Sequence, residues 1–391
     1  MIKMESIAII IQTLTGGGAE RNAANLSILL SKYYNVHLIV FDGSNISYPH
    51  AGVLHDLKMP AVKNKLYKIL NIYRRIKVIR KIKKDNNIIA SISLMDGANI
   101  VNSFSKVNDK IITSVRNNMS YVKANNKLFY YLLNKVILNK SNCCVTVSKD
   151  VERDLIVNFN TDPNKLKTIY NSININYFKN LNKNKRCLDK EIIISTMGRL
   201  EYQKGQWHLI RILKKVISQY PSVKLNIYGE GTLKEMLIQL TQKAQLTKNI
   251  TFKGYVKNPH EELIKSDLFV FPSLAEGLGN ALLEVMACGV PCIATDCHSG
   301  NREILDDDCV VKENLDGVEY AKYGVLVSVD KNYNFEIDTP LTYAENQMLE
   351  AVINLIENKA LREYYSKKSI ERAQDFSFEN ISRQWCEIIE N

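Results

Sequence analysis

The sequence predicts an α/β protein built from two doubly wound parallel-sheet domains, and three observations predict it. A length of 391 residues with 46% apolar side chains suits two buried cores at roughly 100 to 200 residues per domain. Short apolar runs alternate with helix-period segments along the whole chain, the pattern of strands joined by crossover helices. That alternation pauses in an Asn- and Lys-rich stretch of weak periodicity at 171–190 and then starts again, which marks the best linker.

In the first domain the strand segments are residues 6–13, 36–41, 88–93, 110–115, 143–147 and 166–169. The run Ile7-Ala8-Ile9-Ile10-Ile11 is apolar without alternation, as a strand covered on both faces requires. In the second domain the corresponding segments are 191–197, 224–228, 250–252, 268–271, 291–294 and 324–327. Residues 376–389 place Phe378, Ile381, Trp385 and Ile388 or Ile389 at helical spacing, an amphipathic helix that needs a surface to cover. The expected division is 1–173 with 376–391, and 186–375.

Composition removes several classes. Charged residues at 24% and only eight prolines exclude a disordered or collagen-like chain. No apolar run approaches the ~20 residues of a spanning helix, and the run at 7–11 lacks the length and the small-residue cleavage site of a signal peptide. Eight cysteines without a C-x-x-C spacing read as reduced thiols, so the expected location is the cytoplasm.

Charge is unevenly spread. Residues 1–185 carry a net +17 and the remainder −6, so the first half is expected to face a polyanion. The bias concentrates at 63–84, with ten Lys or Arg and no acid. Leu66, Ile69, Leu70, Tyr73, Ile76 and Ile79 share one helical face, while Arg74, Lys77, Lys81 and Lys84 share another. Such a helix, roughly 33 Å long at ~1.5 Å per residue, suits an anionic membrane surface or an anionic acceptor. Nucleic acid is disfavoured, because no aromatic single-strand platform or zinc module accompanies it.

Three loops carry candidate chemistry. Gly16-Gly17-Gly18-Ala19-Glu20-Arg21 links a strand to a helix, where backbone N–H groups can meet an anion. As a dinucleotide fingerprint it fails at Arg21, which stands where the third glycine is needed. Gly198-Arg199-Leu200-Glu201-Tyr202-Gln203-Lys204-Gly205 places two cations at the carboxyl edge of the second sheet, suited to a departing diphosphate. The segment from Phe271 to Pro291 carries Glu276 and Glu284 with seven residues between them. If a helix starts near Asn280, Glu276 lies in the loop before it and Glu284 in its second turn. Carboxylates there can accept from sugar hydroxyls, and the amides of Gly279 to Ala281 can donate to an anion. Cys288, Cys292, Cys297 and His298 fall on helix, strand and loop in a way that suits no shared zinc tetrahedron.

Taken in order, the glycine loop, the Arg199 to Gly205 opening, the Gly254-Tyr255-Val256 turn, the two-glutamate block, the Thr295 to Gly300 loop followed by Glu303, and the Asp375-Phe376-Ser377 to Trp385 ending resemble family 4 of the retaining glycosyltransferases. The resemblance covers nearly the whole chain. It implies the GT-B fold, with two Rossmann-like domains facing a cleft and a carboxy-terminal helix crossing back to the first.

It further implies that Arg199 and Lys204 hold the donor diphosphate, with Glu284 on the ribose. Glu276, Leu278, Gly279 and Asn280 would hold the donor sugar, Tyr255 and Val256 would flank a uracil base, and Gly17 and Gly18 would approach the donor or acceptor from the first domain and are counted with the donor-binding residues. Arg199, Lys204 and Glu276 would be catalytic, in metal-independent transfer from a UDP-sugar with no cofactor.

Many relatives carry a histidine after the fourth strand of the first domain. Here Arg116-Asn117-Asn118 stands there, which is similar to a bacterial branch acting on lipid diphosphate-linked glycans. Arg116, Asn117 and the basic helix, through Arg74, Lys77 and Lys81, would then hold the acceptor, at the inner face of the cell membrane. The rival readings are a nonenzymatic nucleotide-sugar or glycan-binding protein, a UDP-N-acetylhexosamine epimerase of the same fold, and a nicotinamide-dependent oxidoreductase.

Overall fold

Seven strands, all parallel, form the first sheet: β1 (Ser6–Ile11), β2 (Asn35–Val40), β3 (Val53–Asp56), β4 (Ile88–Leu94), β5 (Lys110–Val115), β6 (Cys143–Thr146) and β7 (Leu166–Thr168), in the order β3-β2-β1-β4-β5-β6-β7. This computed structural model describes residues 4–122, 127–182, 191–307, 309–310, 312 and 315–391. The chain divides into one unit of Met1–Ser172 with Phe378–Asn391 and another of Ile173–Ser377.

The unbroken apolar run of β1 has a direct structural cause. Ile7, Ile9 and Ile11 point into a core shared with Ala23, Leu26 and Leu30 of the helix Gly18–Leu30, while Ala8 and Ile10 point to the opposite layer with Ile79 and Val101. The terminal helix Phe378–Glu390 joins the first of these layers through Ile381, Trp385 and Ile389.

The second sheet contains β8 (Ile193–Met197), β9 (Lys224–Tyr228), β10 (Ile250–Gly254), β11 (Leu268–Phe271), β12 (Cys292–Thr295), β13 (Glu319–Tyr320) and β14 (Val325–Val327), ordered β10-β9-β8-β11-β12-β14-β13. All pairs are parallel except β13 with β14. Trp207, Leu209, Ile210 and Leu213 of the helix Gln206–Gln219 are buried in its main core.

Four features differ from the sequence reading. Strands β3 and β13 went unread, because Val53-Leu54-His55-Asp56 is a half-exposed edge without an apolar run and β13 is two residues long. The expected linker contains a helix, Ile175–Asn182, which belongs to the second unit, while residues 183–190 lie outside the described residues. The basic helix spans Lys65–Asp85 behind an Asn64 cap, and it packs inward only from its third turn on, through Ile72, Ile76, Ile79 and Ile82. Leu66 (77% exposed), Tyr67, Ile69 (66%), Leu70 and Tyr73 remain open. Finally, Lys83 turns from the basic run into the core and pairs with Asp109 at 2.8 Å, both fully buried; burial lowers its pKa to about 8 against the pull of that carboxylate.

Candidate functional site

Ligands of doubly wound sheets bind beyond the carboxyl ends of the strands where the order reverses, because successive connections there leave in opposite directions. In the second sheet those strands are β8 and β11. The loop after β8 makes one 3-10 turn, Tyr202–Lys204, and ends at Gly205 with φ +63°. A Cβ on Gly205 would also collide with the Pro272 carbonyl oxygen of the loop after β11, so a side chain would force the two loops apart.

Hydrogen bonds stitch these loops together. Gln203 Nε2 donates to the Ala275 carbonyl (2.6 Å), and the Leu274 amide donates to the Gln203 carbonyl (2.8 Å). Lys204 Nζ is ion-paired with Glu276 Oε1, the two side chains 16% and 8% exposed, and lies 5.2 Å from the centre of the Phe271 ring. The Glu276 amide donates to the His298 carbonyl (3.2 Å), which brings in the loop after β12. Arg199 is exposed on the first of these loops.

The helix after β11 runs Asn280–Ala287 with Gly279 at its cap, so Glu276 precedes it and Glu284 lies in its second turn. Leu278 and Gly279 are buried and Asn280 is half-buried. Glu284 Oε2 meets His260 Nε2 at 2.9 Å, with the residues 6% and 3% exposed. This partner was invisible in the sequence, because His260 lies in the β10–β11 connection and no fixed spacing links it to Glu284. Tyr255, exposed, and Val256, half-buried, occupy the same connection.

Two buried networks hold this edge in shape. Arg302 binds Asp296 through Nε (2.9 Å) and Nη2 (2.7 Å), and Glu319 through Nη1 (2.7 Å). His208, Asp330 and Glu345 bring metal-ligand atom types within 4.8 Å of one another. Arg211 Nε holds Glu345 at 2.7 Å there, which fits an ion-pair hub.

In the first unit the order reverses between β1 and β4. Gly17 caps the helix Gly18–Leu30, and a Cβ on it would collide with the Glu20 carboxylate, so the chain's own carboxylate lies over the first turn. A cavity of ≈210 Å³ is lined by Gln12, Met95, Asp96, Arg116, Asn117 and Met119, among others. Arg116 donates to Ser114 Oγ (3.3 Å) and to Asn171 Oδ1. The non-glycine residue Met95 has φ +77° at the mouth of β4, a strained conformation of the kind found at binding sites. The structure thus brings Arg116 and Asn117 together with Gln12 and Asp96, two residues the sequence reading did not single out. Arg74, Lys77 and Lys81 do not line this cavity; they are exposed on their helix.

Comparison with known proteins agrees with this architecture. Residues 16–177 match the family model Glycosyltransferase Family 4, and residues 178–322 match Glycosyl transferases group 1. An uncharacterized glycosyltransferase of Methanocaldococcus jannaschii is 34% identical over 348 residues, covering 83% of this chain and 84% of its own. An N-acetylgalactosamine-N,N'-diacetylbacillosaminyl-diphospho-undecaprenol 4-alpha-N-acetylgalactosaminyltransferase of Campylobacter jejuni is 28% identical, covering 97% and 98% of the two chains. Among solved structures, Anabaena HepE in complex with UDP and glucose superposes with a TM-score of 0.75 at 16% identity, over 99% of each chain. With both halves matched by glycosyltransferase families, and a relative one third identical over most of both chains, the chain belongs to the GT-B glycosyltransferases.

Proposed function

We propose that this glycosyltransferase moves a hexose or N-acetylhexosamine from a UDP-sugar to a lipid diphosphate-linked saccharide in surface polysaccharide biosynthesis, with retention and without a metal. The observation that carries the donor reading is the Lys204–Glu276 pair at the order reversal of the second sheet. Before the donor arrives, the two charges neutralise each other. On binding, the diphosphate takes Lys204 and Arg199, and a sugar hydroxyl takes Glu276. The amides at Leu278, Gly279 and Asn280 donate to the same end of the donor, Glu284 accepts from the ribose diol, and Tyr255 with Val256 flanks the base.

In the transfer, the bond from the anomeric carbon to the diphosphate oxygen breaks and a bond to the acceptor hydroxyl oxygen forms. The acceptor proton passes to the departing phosphate, whose growing charge Lys204 and Arg199 stabilise. These two cations do the work a metal would do, so no cofactor is required.

The acceptor reading rests on the first unit. Arg116 and Asn117 line its cavity, suited to a phosphate or sugar oxygen, while Gly17 and Gly18, at the loop after β1, are assigned to the donor. The Campylobacter relative, named for a diphospho-undecaprenol-linked saccharide, supports the same acceptor class. Arg74, Lys77 and Lys81 stand on the helix whose exposed apolar residues suit an anionic leaflet, supporting a peripheral location at the inner membrane face. No helix among the described residues is long and apolar enough to cross a membrane.

The test is transfer from a panel of UDP-, GDP- and ADP-sugars to a diphospho-undecaprenol-linked saccharide, with and without chelator. The expected result is chelator-resistant transfer from a UDP-sugar that keeps the donor's anomeric configuration. Transfer only from a GDP- or ADP-sugar, or transfer abolished by chelator, would overturn the reading.

A further inference from the structure

His260 stands behind Glu284 and takes no direct part in the donor contacts proposed above. We infer that His260 is a positioning residue for nucleotide recognition: it fixes the Glu284 carboxylate for the ribose diol and ties it to the loop that flanks the base. The inference rests on the assignment of Glu284 to the ribose proposed above.

Geometry supplies the argument. A carboxylate can only accept, so the 2.9 Å contact makes His260 Nε2 the donor and Glu284 Oε2 the acceptor. Both residues are almost fully buried, where a hydrogen bond to a charged group is strong and a missing one is costly. The imidazole is itself held. Its ring lies edge-to-face with Tyr177 (5.6 Å between centroids) and Phe178 (5.0 Å), both on the helix Ile175–Asn182. A flexible glutamate side chain with several rotamers is thereby restrained by a rigid ring with two rotatable bonds.

The covalent connection adds a second consequence. His260 opens the short helix His260–Leu263, five residues after Tyr255 in the same β10–β11 connection. The segment that would flank the base is therefore fastened, through one hydrogen bond, to the carboxylate that would read the sugar next to it.

Calorimetric titration of the full chain with UDP and with 2′,3′-dideoxy-UDP separates this role from a merely structural one. His260→Leu removes the donor and keeps the bulk; His260→Gln restores an amide N–H near the position of Nε2. The expected result is about a tenfold loss of UDP affinity in His260→Leu, at ~1.4 kcal/mol per tenfold, largely rescued in His260→Gln. Dideoxy-UDP, which lacks the diol, should bind the wild type and His260→Leu alike, and His260→Leu should add nothing to Glu284→Ala. An equal loss for both nucleotides in His260→Leu, or none for UDP, would overturn the inference. A wild type that binds both nucleotides equally, together with an undiminished Glu284→Ala, would overturn the ribose assignment itself and the inference with it. If His260→Leu does not fold, UDP affinity in His260→Gln decides: near-wild-type binding that is lost again with Glu284→Ala supports the role, and binding unaffected by Glu284→Ala overturns it.

Discussion

Lys204 and Glu276, 72 positions apart in sequence, form one ion pair that bridges the two loops at the order reversal of the second sheet. The pair is more than a clasp, because Gln203 and Gly205 on either side of Lys204 already fasten the loops through Ala275, Leu274 and the close approach to Pro272. Exchange of its charges for those of a ligand, as proposed, would therefore leave the loops joined.

From this follows the behaviour of Lys204→Ala. The fold should persist, while kcat falls by about 10² to 10³, the usual effect of removing one group aimed at developing charge. Nucleotide affinity should fall much less. Steady-state kinetics with a UDP-sugar, beside a UDP titration, measure the two effects; an unchanged kcat would remove Lys204 from leaving-group stabilisation.

The exposed first half of the helix Lys65–Asp85 predicts two separable contributions to membrane binding. Replacing Leu66 and Ile69 by serine should abolish the salt-resistant part of binding to phosphatidylglycerol vesicles, since burying such side chains in the interface is the apolar contribution. Replacing the exposed Lys68 and Arg74 by serine should instead weaken the salt-sensitive part, at about 1 kcal/mol for each basic residue near the surface. Co-sedimentation at low and high salt reads both. Wild-type binding by both double variants would contradict the account.

Acid stability should depend on Glu345. Burial alone would raise its pKa, but hydrogen bonds from His208, Arg211 and the Thr342 amide outweigh it and hold the carboxyl below its ordinary value of 4.5. A folded-state value depressed in this way contributes stability above the unfolded-state pKa, and that contribution is lost as pH falls through the folded value. Urea unfolding followed from neutral pH down through the carboxylate range should show the second unit losing stability below about pH 4.5. In Glu345→Gln that slope should flatten, and stability at neutral pH should drop by about 3 to 5 kcal/mol, because Arg211 stays buried beside a neutral partner. An unchanged slope would show that other groups control acid unfolding.

The terminal helix is equally specific in its demand. Trp385 is 2% exposed and lies with Ile381 and Ile389 in the core of the first unit. Trp385→Ala should cost about 3 to 5 kcal/mol in chemical denaturation, with UDP binding by the folded fraction intact. A loss under about 1 kcal/mol would mean that the helix is dispensable to that core.

How legible this was in the sequence depended on whether a signal was local. The strand β1 was readable because five consecutive apolar residues need cover on both faces, and the helix at Asn280 because glycine and proline bracket it. Long-range pairings were not readable: nothing in the spacing joins His260 to Glu284, Gln203 to Ala275 or Lys83 to Asp109. The helix Lys65–Asp85 shows a subtler limit. Its periodicity reveals an apolar face, but the same pattern arises whether a core covers that face or leaves half of it open. Edge strands β3 and β13 are short and partly exposed, so little hydrophobic pattern was required of them.

The central claim is that the loops after β8 and β11, with Glu284 behind them, bind the nucleotide of a UDP-sugar. Calorimetric titration with UDP, GDP, ADP and NAD, repeated on Glu284→Ala, tests it most directly. The account predicts that UDP binds in preference to the other three and that the variant loses most of that affinity, about tenfold or more. Preference for another nucleotide, or equal UDP binding by the variant, would contradict it.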